Sequence, residues 1–157
     1  MYDRAQVRVP PDAFSVREQR LTLRDGRKKL AEYPVSTSRF GLGTKKGSFK
    51  TPTGQFQISE KIGAGALAGT VYKSRRPVKA TKKMLRDDDL VMTRILWLDG
   101  LEPRNANTHG RYVYIHGTNR EEEIGTAASQ GCVRMKNEDV VELFDLVAVG
   151  TPVEIRP

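Results

Sequence analysis

Asp25-Gly26 is the dipeptide that most limits how this chain can fold. Asp-Gly between two alternating runs closes a two-residue hairpin, because both central positions of the favoured turn need positive φ. Residues 20–24 lead into the turn, residues 28–36 lead out of it, and residues 13–18 alternate upstream. The first forty residues are therefore predicted to be β structure. Residues 40–54 are rich in Gly and Lys and end in Thr51-Pro52-Thr53-Gly54. Pro52 sets a turn and Gly54 permits positive φ, so a new strand can begin at Gln55 and run to Ser59. No helix pattern follows these glycines, which excludes a phosphate-binding loop.

The remaining elements follow from shorter signals. Residues 63–69 are small, and the basic stretch 73–86 shows no helical stripe, so it reads as an excursion from the sheet. Residues 91–98 are a strand candidate. Residues 112–115 are another, and they deliver His116 at their end. Asn137 is predicted as the N-cap of a helix with Val140, Val141, Phe144 and Val147 on one face. Gly150 stops that helix and residues 151–155 form a last strand. With no internal repeat and no linker, the expectation is one domain, 1–157, mostly β with one or two short helices.

The chain has 157 residues, long enough to bury a real core without staples. It holds one cysteine, so no intramolecular disulfide can form and the thiol stays free. No apolar run approaches the roughly 20 residues that span a bilayer, so no membrane insertion is expected. The first fourteen residues carry no apolar signal stretch. If Met1 is the native start, a cytoplasmic location is expected; otherwise the periplasm or cell wall.

The net charge is +8, and residues 39–104, with 14 Lys and Arg against 6 Asp and Glu, account for all of it. The densest part comprises Lys73, Arg75, Arg76, Lys79, Lys82, Lys83 and Arg86. Such a patch favours a polyanion or a carboxylate-rich ligand. Nucleic acid is not expected as a partner, because aromatic residues for base stacking are not interleaved and no nucleic-acid module is present.

The chemistry concentrates in residues 114–135, YIHGTNREEEIGTAASQGCVRM. A thiol is a weak nucleophile at its free pKa, and an adjacent imidazole can take its proton or stabilise the thiolate. His116 follows a strand and precedes Cys132 by 16 positions, enough for a loop to bring the two together. Gly131 lets substrate approach closely, and the amides around Gly131 and Cys132 are candidates for an oxyanion site. Metal binding by His109, His116 and Cys132 is disfavoured: the histidines are seven apart, and a second cysteine or nearby carboxylate is missing. Neither a metal nor another cofactor is expected.

His116-Gly117-Thr118, followed by Ser129-Gln130-Gly131-Cys132-Val133-Arg134-Met135, resembles the catalytic motif of the L,D-transpeptidase (YkuD-type) family. Residues 51–56 resemble that family's turn-and-strand element and residues 150–155 its closing strand, so the likeness spans about 13–155. It implies a β-sandwich-like catalytic domain with a basic lid insertion at about 70–90. It implies Cys132 as nucleophile, His116 as base, the Gly117 carbonyl orienting the imidazole and Gly131 serving the oxyanion. Ser129, Gln130, Thr118 and Arg134 would contact substrate, with Arg134 supporting the loop or holding a carboxylate. Lys82, Lys83 and Arg86 would contribute from the lid.

By this resemblance the substrate is a peptidoglycan peptide stem or soluble muropeptide, and carbapenem-type inhibitors are expected to acylate the cysteine. Cys132 would attack the L-centre carbonyl of the diamino acid–D-Ala bond and release D-alanine. Water as acceptor makes an L,D-carboxypeptidase of the recycling kind, the reading favoured here. An amine makes an L,D-transpeptidase, and a catalytically idle peptidoglycan-binding module is the non-enzymatic alternative. One departure stands out: the commonest family pattern has histidine before Gly-Cys, whereas this chain has Gln130, which places proton transfer on His116.

Overall fold

The computed structural model describes residues 14–157. Ten strands and two helices follow in the order β1 (Phe14–Ser15), β2 (Arg20–Asp25), β3 (Lys28–Ser36), β4 (Gly54–Ile62), β5 (Val71–Lys73), β6 (Arg76–Val78), α1 (Lys82–Asp87), β7 (Val91–Gly100), β8 (Tyr114–Gly117), β9 (Val133–Met135), α2 (Asn137–Leu146) and β10 (Pro152–Ile155). Single turns of 3-10 helix lie at Pro103–Asn105, His109–Arg111 and Glu121–Glu123. Mostly β with short helices is therefore what the chain adopts. Ala13 and the N-terminal stretch before it lie outside the described residues.

A hairpin forms where expected, but one residue later. β2 pairs antiparallel with β3 from Arg20↔Pro34 to Asp25↔Lys28, so the two-residue loop is Gly26-Arg27. Of Asp25, Gly26 and Arg27, only Gly26 takes positive φ, +59°. The strands follow one path, β1-β2-β3-β9-β8-β7-β4-β10. Val16 N–H donates to Arg156 O at 2.9 Å, tying the β1 end of that path to the chain beyond β10. The sheet therefore curls around α2. Its inner side carries Leu21, Leu23, Phe56, Ile58, Leu96, Leu98, Ile115, Val133 and Met135, packed against Val140, Leu143, Phe144 and Val147.

β7 is covered on both faces, and its alternation divides the interior. Leu96 and Leu98 enter the main core, whereas Ile95 and Trp97 join Tyr72 and Tyr114 on the opposite face. Cys132 packs against that second cluster.

Other expectations need correction, among them the strand at residues 112–115, which runs from Tyr114 to Gly117 and holds His116 within it. Asn137 is not the N-cap of α2, since Lys136 holds that position without a side-chain bond. Asn137 instead accepts from Thr93 Oγ1 at 2.6 Å and donates to Thr118 O at 2.8 Å. Leu143, not Val141, completes the buried face of α2. Finally, segment 73–86 is no featureless excursion. β5 and β6 form a hairpin paired onto β7, and α1 follows, capped by Thr81 Oγ1 at the Met84 amide. A six-residue helix with no buried residue is too short to print a stripe in sequence. Val71, Leu90 and Met92 make a small core beneath the segment, with Val78, Ala80 and Met84 against it.

Candidate active site

The parallel pairing of β8 with β9 builds the site. Ile115 sits opposite Val133, His116 opposite Arg134 and Gly117 opposite Met135. Side chains alternate along a strand, so Ile115, Val133 and Met135 turn into the main core. His116 and Arg134 occupy the other face. Cys132, two residues before Arg134, shares that face and comes level with Tyr114. The Tyr114 amide donates to Cys132 Sγ at 3.4 Å, and Sγ lies 3.4 Å from Tyr112 O. Two side chains 16 positions apart in sequence therefore stand on one face, two residues apart in register.

The turn before Cys132 is tied down from several sides. Ser129 Oγ donates to Cys132 O at 2.6 Å and accepts from the Gly131 amide at 3.3 Å. Ser129 N–H bonds Thr37 O at 2.9 Å, and Ser129 O accepts from Arg39 N–H at 3.0 Å. Gly131 has φ +119°, where a side chain would be strained. Its carbonyl accepts from Thr51 Oγ1 at 3.0 Å, and Thr51 Oγ1 also receives the Ser38 amide at 2.9 Å. The Thr51-Pro52-Thr53-Gly54 element thus fixes the cysteine turn and then starts β4. The Gly131 amide, nominated for the oxyanion, is committed to Ser129 here.

His116 is 4% exposed, and its Nδ1 lies 2.5 Å from Gly117 O. A carbonyl brings no proton, so Nδ1 carries the hydrogen and Nε2 keeps its lone pair. Burial pushes the imidazole below its ordinary pKa, while the Gly117 carbonyl and Asp89 act against the shift and Arg134 reinforces it. Burial pushes the Cys132 thiol up to about 11, against the pull of the Tyr114 amide, Arg134 and Arg111. At neutral pH both groups are uncharged.

A cavity of about 250 Å³ opens over the pair, lined by His116, Cys132, Ser129, Gln130 and Arg134 together with Phe49, Asp89, Val91, Arg111 and Tyr112. Arg134 is 3% exposed and doubly paired, Nη2 with Asp89 at 2.6 Å and Nη1 with Glu123 at 2.5 Å. Its Nε is buried and has no partner among the described residues. Thr118 is fully buried, accepts from the Arg120 amide and lines no part of the cavity. Lys82, Lys83 and Arg86 are exposed and lie outside the cavity, with Arg86 paired to its neighbour Asp87. Segment 70–90 still reaches the site through its end. Asn119 donates to Leu85 O and Asp88 O, and Arg120 to Arg86 O, which holds the α1 terminus and sets Asp89 against Arg134.

Sequence reasoning missed Arg111, Asp89, Phe49 and Tyr112. Arg111 donates to Lys50 O at 2.8 Å and Gly43 O at 3.3 Å. Phe49 and Tyr112 both have φ +58°, uncommon for bulky residues and the kind of strain that gathers at functional sites. Tyr112 also lies beside an aromatic stack. The Trp97 ring covers His109 at 3.9 Å and 7°, and the Arg75 guanidinium sits 4.8 Å from Trp97 and 5.2 Å from Tyr112. Among the described residues no group of three His, Cys, Asp or Glu side chains is placed to hold a metal ion.

Residues 13–155 match the profile of the family described as YkuD, L,D-transpeptidase catalytic domain. YqjB of Bacillus subtilis (strain 168) is 34% identical over 116 residues, covering 74% of this chain and 57% of that protein. L,D-transpeptidase 3 from Mycobacterium tuberculosis, solved with a faropenem-derived adduct, superposes with a TM-score of 0.59 at 16% identity, over 92% of this chain and 58% of its own. An L,D-transpeptidase in complex with imipenem gives 0.56 at 20% identity, over 90% of this chain and 56% of its own. The structural likenesses carry the fold, and this chain spans a little over half the length of each of these proteins.

Proposed function

The chain belongs to the YkuD family of L,D-transpeptidase catalytic domains, and on that footing we propose that it transfers acyl groups from peptidoglycan peptide stems through Cys132. The observation that carries this reading is the β8–β9 register, which stands His116 and Cys132 together on one face above a cavity. Because burial keeps the thiol and the imidazole neutral, the proton moves as the bond forms. Cys132 Sγ attacks the L-centre carbonyl of the diamino acid while its proton passes to His116 Nε2. The tetrahedral intermediate collapses, the C–N bond breaks, and His116 returns the proton to the departing amine of D-alanine. A thioester remains on Cys132. An incoming nucleophile then gives a proton to His116 and displaces the thiolate, which recovers that proton.

Water is the favoured acceptor, making the chain an L,D-carboxypeptidase. A space of about 250 Å³ is small beside the ~300–1,000 Å³ of ordinary ligand pockets. That suits the reacting end of one stem and a water better than two stems. Lys82, Lys83 and Arg86, outside the cavity, would touch at most the distal parts of a substrate. Imipenem and related β-lactams are expected to acylate Cys132 as well.

The deciding experiment incubates the protein with a soluble disaccharide tetrapeptide and follows products and intact protein by mass. Tripeptide plus free D-alanine, absent with Cys132→Ala, supports the carboxypeptidase. A cross-linked dimer moves the assignment to transpeptidation. Binding without acylation or product overturns the enzymatic reading and leaves an idle binding module.

A further inference from the structure

Three charged side chains line the cavity, Arg134, Asp89 and Arg111. Arg134 is held by Asp89 and Glu123, so its charge is already answered by carboxylates. Arg111 is different. It lines the cavity, is half-buried, and pairs with no carboxylate among the described residues. Its two bonds go to neutral carbonyls of the Gly- and Lys-rich loop, Gly43 O and Lys50 O. Those bonds orient the guanidinium and leave its charge uncompensated. Burying a cation without a counter-ion costs free energy, and a ligand anion that supplies the missing charge recovers it. Arg111 also precedes Tyr112, whose carbonyl lies 3.4 Å from Cys132 Sγ, which keeps the cation close to the nucleophile.

The geometry points to Arg111 as a seat for a carboxylate beside Cys132. Resting on the function proposed above, that anion is the terminal carboxylate of the leaving residue, two bonds beyond the departing nitrogen. A planar, fixed guanidinium suits a carboxylate and discriminates against a neutral amide end. On this basis the enzyme takes stems with a free C-terminus and leaves those whose end is already amide-linked. The carboxylate role expected of Arg134 thereby passes to a residue 21 positions before the nucleophile.

The test uses two pairs of probes. Iodoacetate and iodoacetamide differ by one carboxylate next to the attacked carbon. Relative to glutathione as a free-thiol reference, wild-type Cys132 should favour iodoacetate about ten-fold, and Arg111→Gln should remove the preference. Equal preference in wild type and glutathione overturns the seat without any variant having to fold. The second pair is a tetrapeptide stem with a free terminal carboxylate and the same stem as its C-terminal amide. The carboxylate-to-amide ratio of acylation rates should fall about 10- to 100-fold in Arg111→Gln. If both stems acylate Cys132 equally in the wild type, the seat is wrong while the proposed function stands. If neither acylates yet iodoacetate is preferred, the seat stands and the proposed function fails.

Discussion

The hydroxyl of Thr51 donates to the carbonyl of Gly131 across 80 residues of sequence. It also receives the Ser38 amide, so one buried side chain ties two loops to the residue before the nucleophile. Thr51→Val keeps the shape and removes both bonds. It should cost about 1–3 kcal/mol in denaturant unfolding and slow Cys132 acylation. Wild-type stability and acylation would mean that Ser129 alone orders the turn.

Neutral Cys132 and His116 predict a particular pH dependence. Because burial depresses the imidazole, acylation by substrate should hold up below pH 6.5 and fall only at more acidic pH. Alkylation of the free enzyme by iodoacetamide should instead keep rising toward pH 11, where the thiol ionises. His116→Gln should lower substrate acylation by about 10²–10⁴. An alkylation rate already level at pH 7 would reveal a preformed thiolate–imidazolium pair and exclude this description.

The same two groups bear on stability. Below about pH 6.5 the unfolded imidazole binds its proton while buried His116 resists, so the unfolded state holds more protons and stability falls as pH drops. The unfolded thiol ionises near 9.0 and the folded one near 11, so the unfolded state holds fewer protons between them, and stability falls as pH rises through that window. Urea midpoints measured across pH should show both limbs. His116→Gln should flatten the acid limb and Cys132→Ala the alkaline one.

Gly117 leaves no room for a methyl group. A Cβ there would collide with Asn137 Oδ1 and lie 2.7 Å from Met92 O. Gly117→Ala should destabilise by about 1–3 kcal/mol and displace the carbonyl that holds His116. Gly110→Ala, with open space around it, is the control and should change neither stability nor acylation detectably.

Arg134 tests the buried charge network. Arg134→Met leaves Asp89 and Glu123, each about a third exposed, unpaired beside the cavity and should cost about 1–3 kcal/mol, measured by chemical denaturation. Adding Asp89→Asn and Glu123→Gln should recover much of that loss. If the triple variant is no more stable than the single one, the network does not act as a unit.

Local chemistry was legible in the sequence wherever it was decided locally. The hairpin forms at the Asp-Gly signal because Gly26 supplies the positive φ its turn needs, although the loop is Gly26-Arg27 and Asp25 stays paired in β2. Cys132 and His116 stood out because the chain holds one cysteine and two histidines, although His116 lies within β8 and not after a strand at residues 112–115 as expected. Asn137 misled because a tertiary network outcompeted its capping role, and its amide bridges Thr93 to Thr118. The parallel β8–β9 register was not readable, because no turn fixes it and the two strands are separated by a loop of 15 residues. Arg111 and Asp89 carry no motif. Each matters through partners far away in sequence, Lys50 for one and Arg134 for the other.

The chain's sole tryptophan is Trp97, layered between His109 and Arg75 and packed edge-on to Tyr114 at 5.5 Å. Any molecule that displaces Arg75 or Tyr112 alters the surroundings of that one indole. Intrinsic emission therefore reports from a single known position with no background from other tryptophans. An unlabelled sample can be titrated optically, and occupancy of the neighbouring cavity followed in real time.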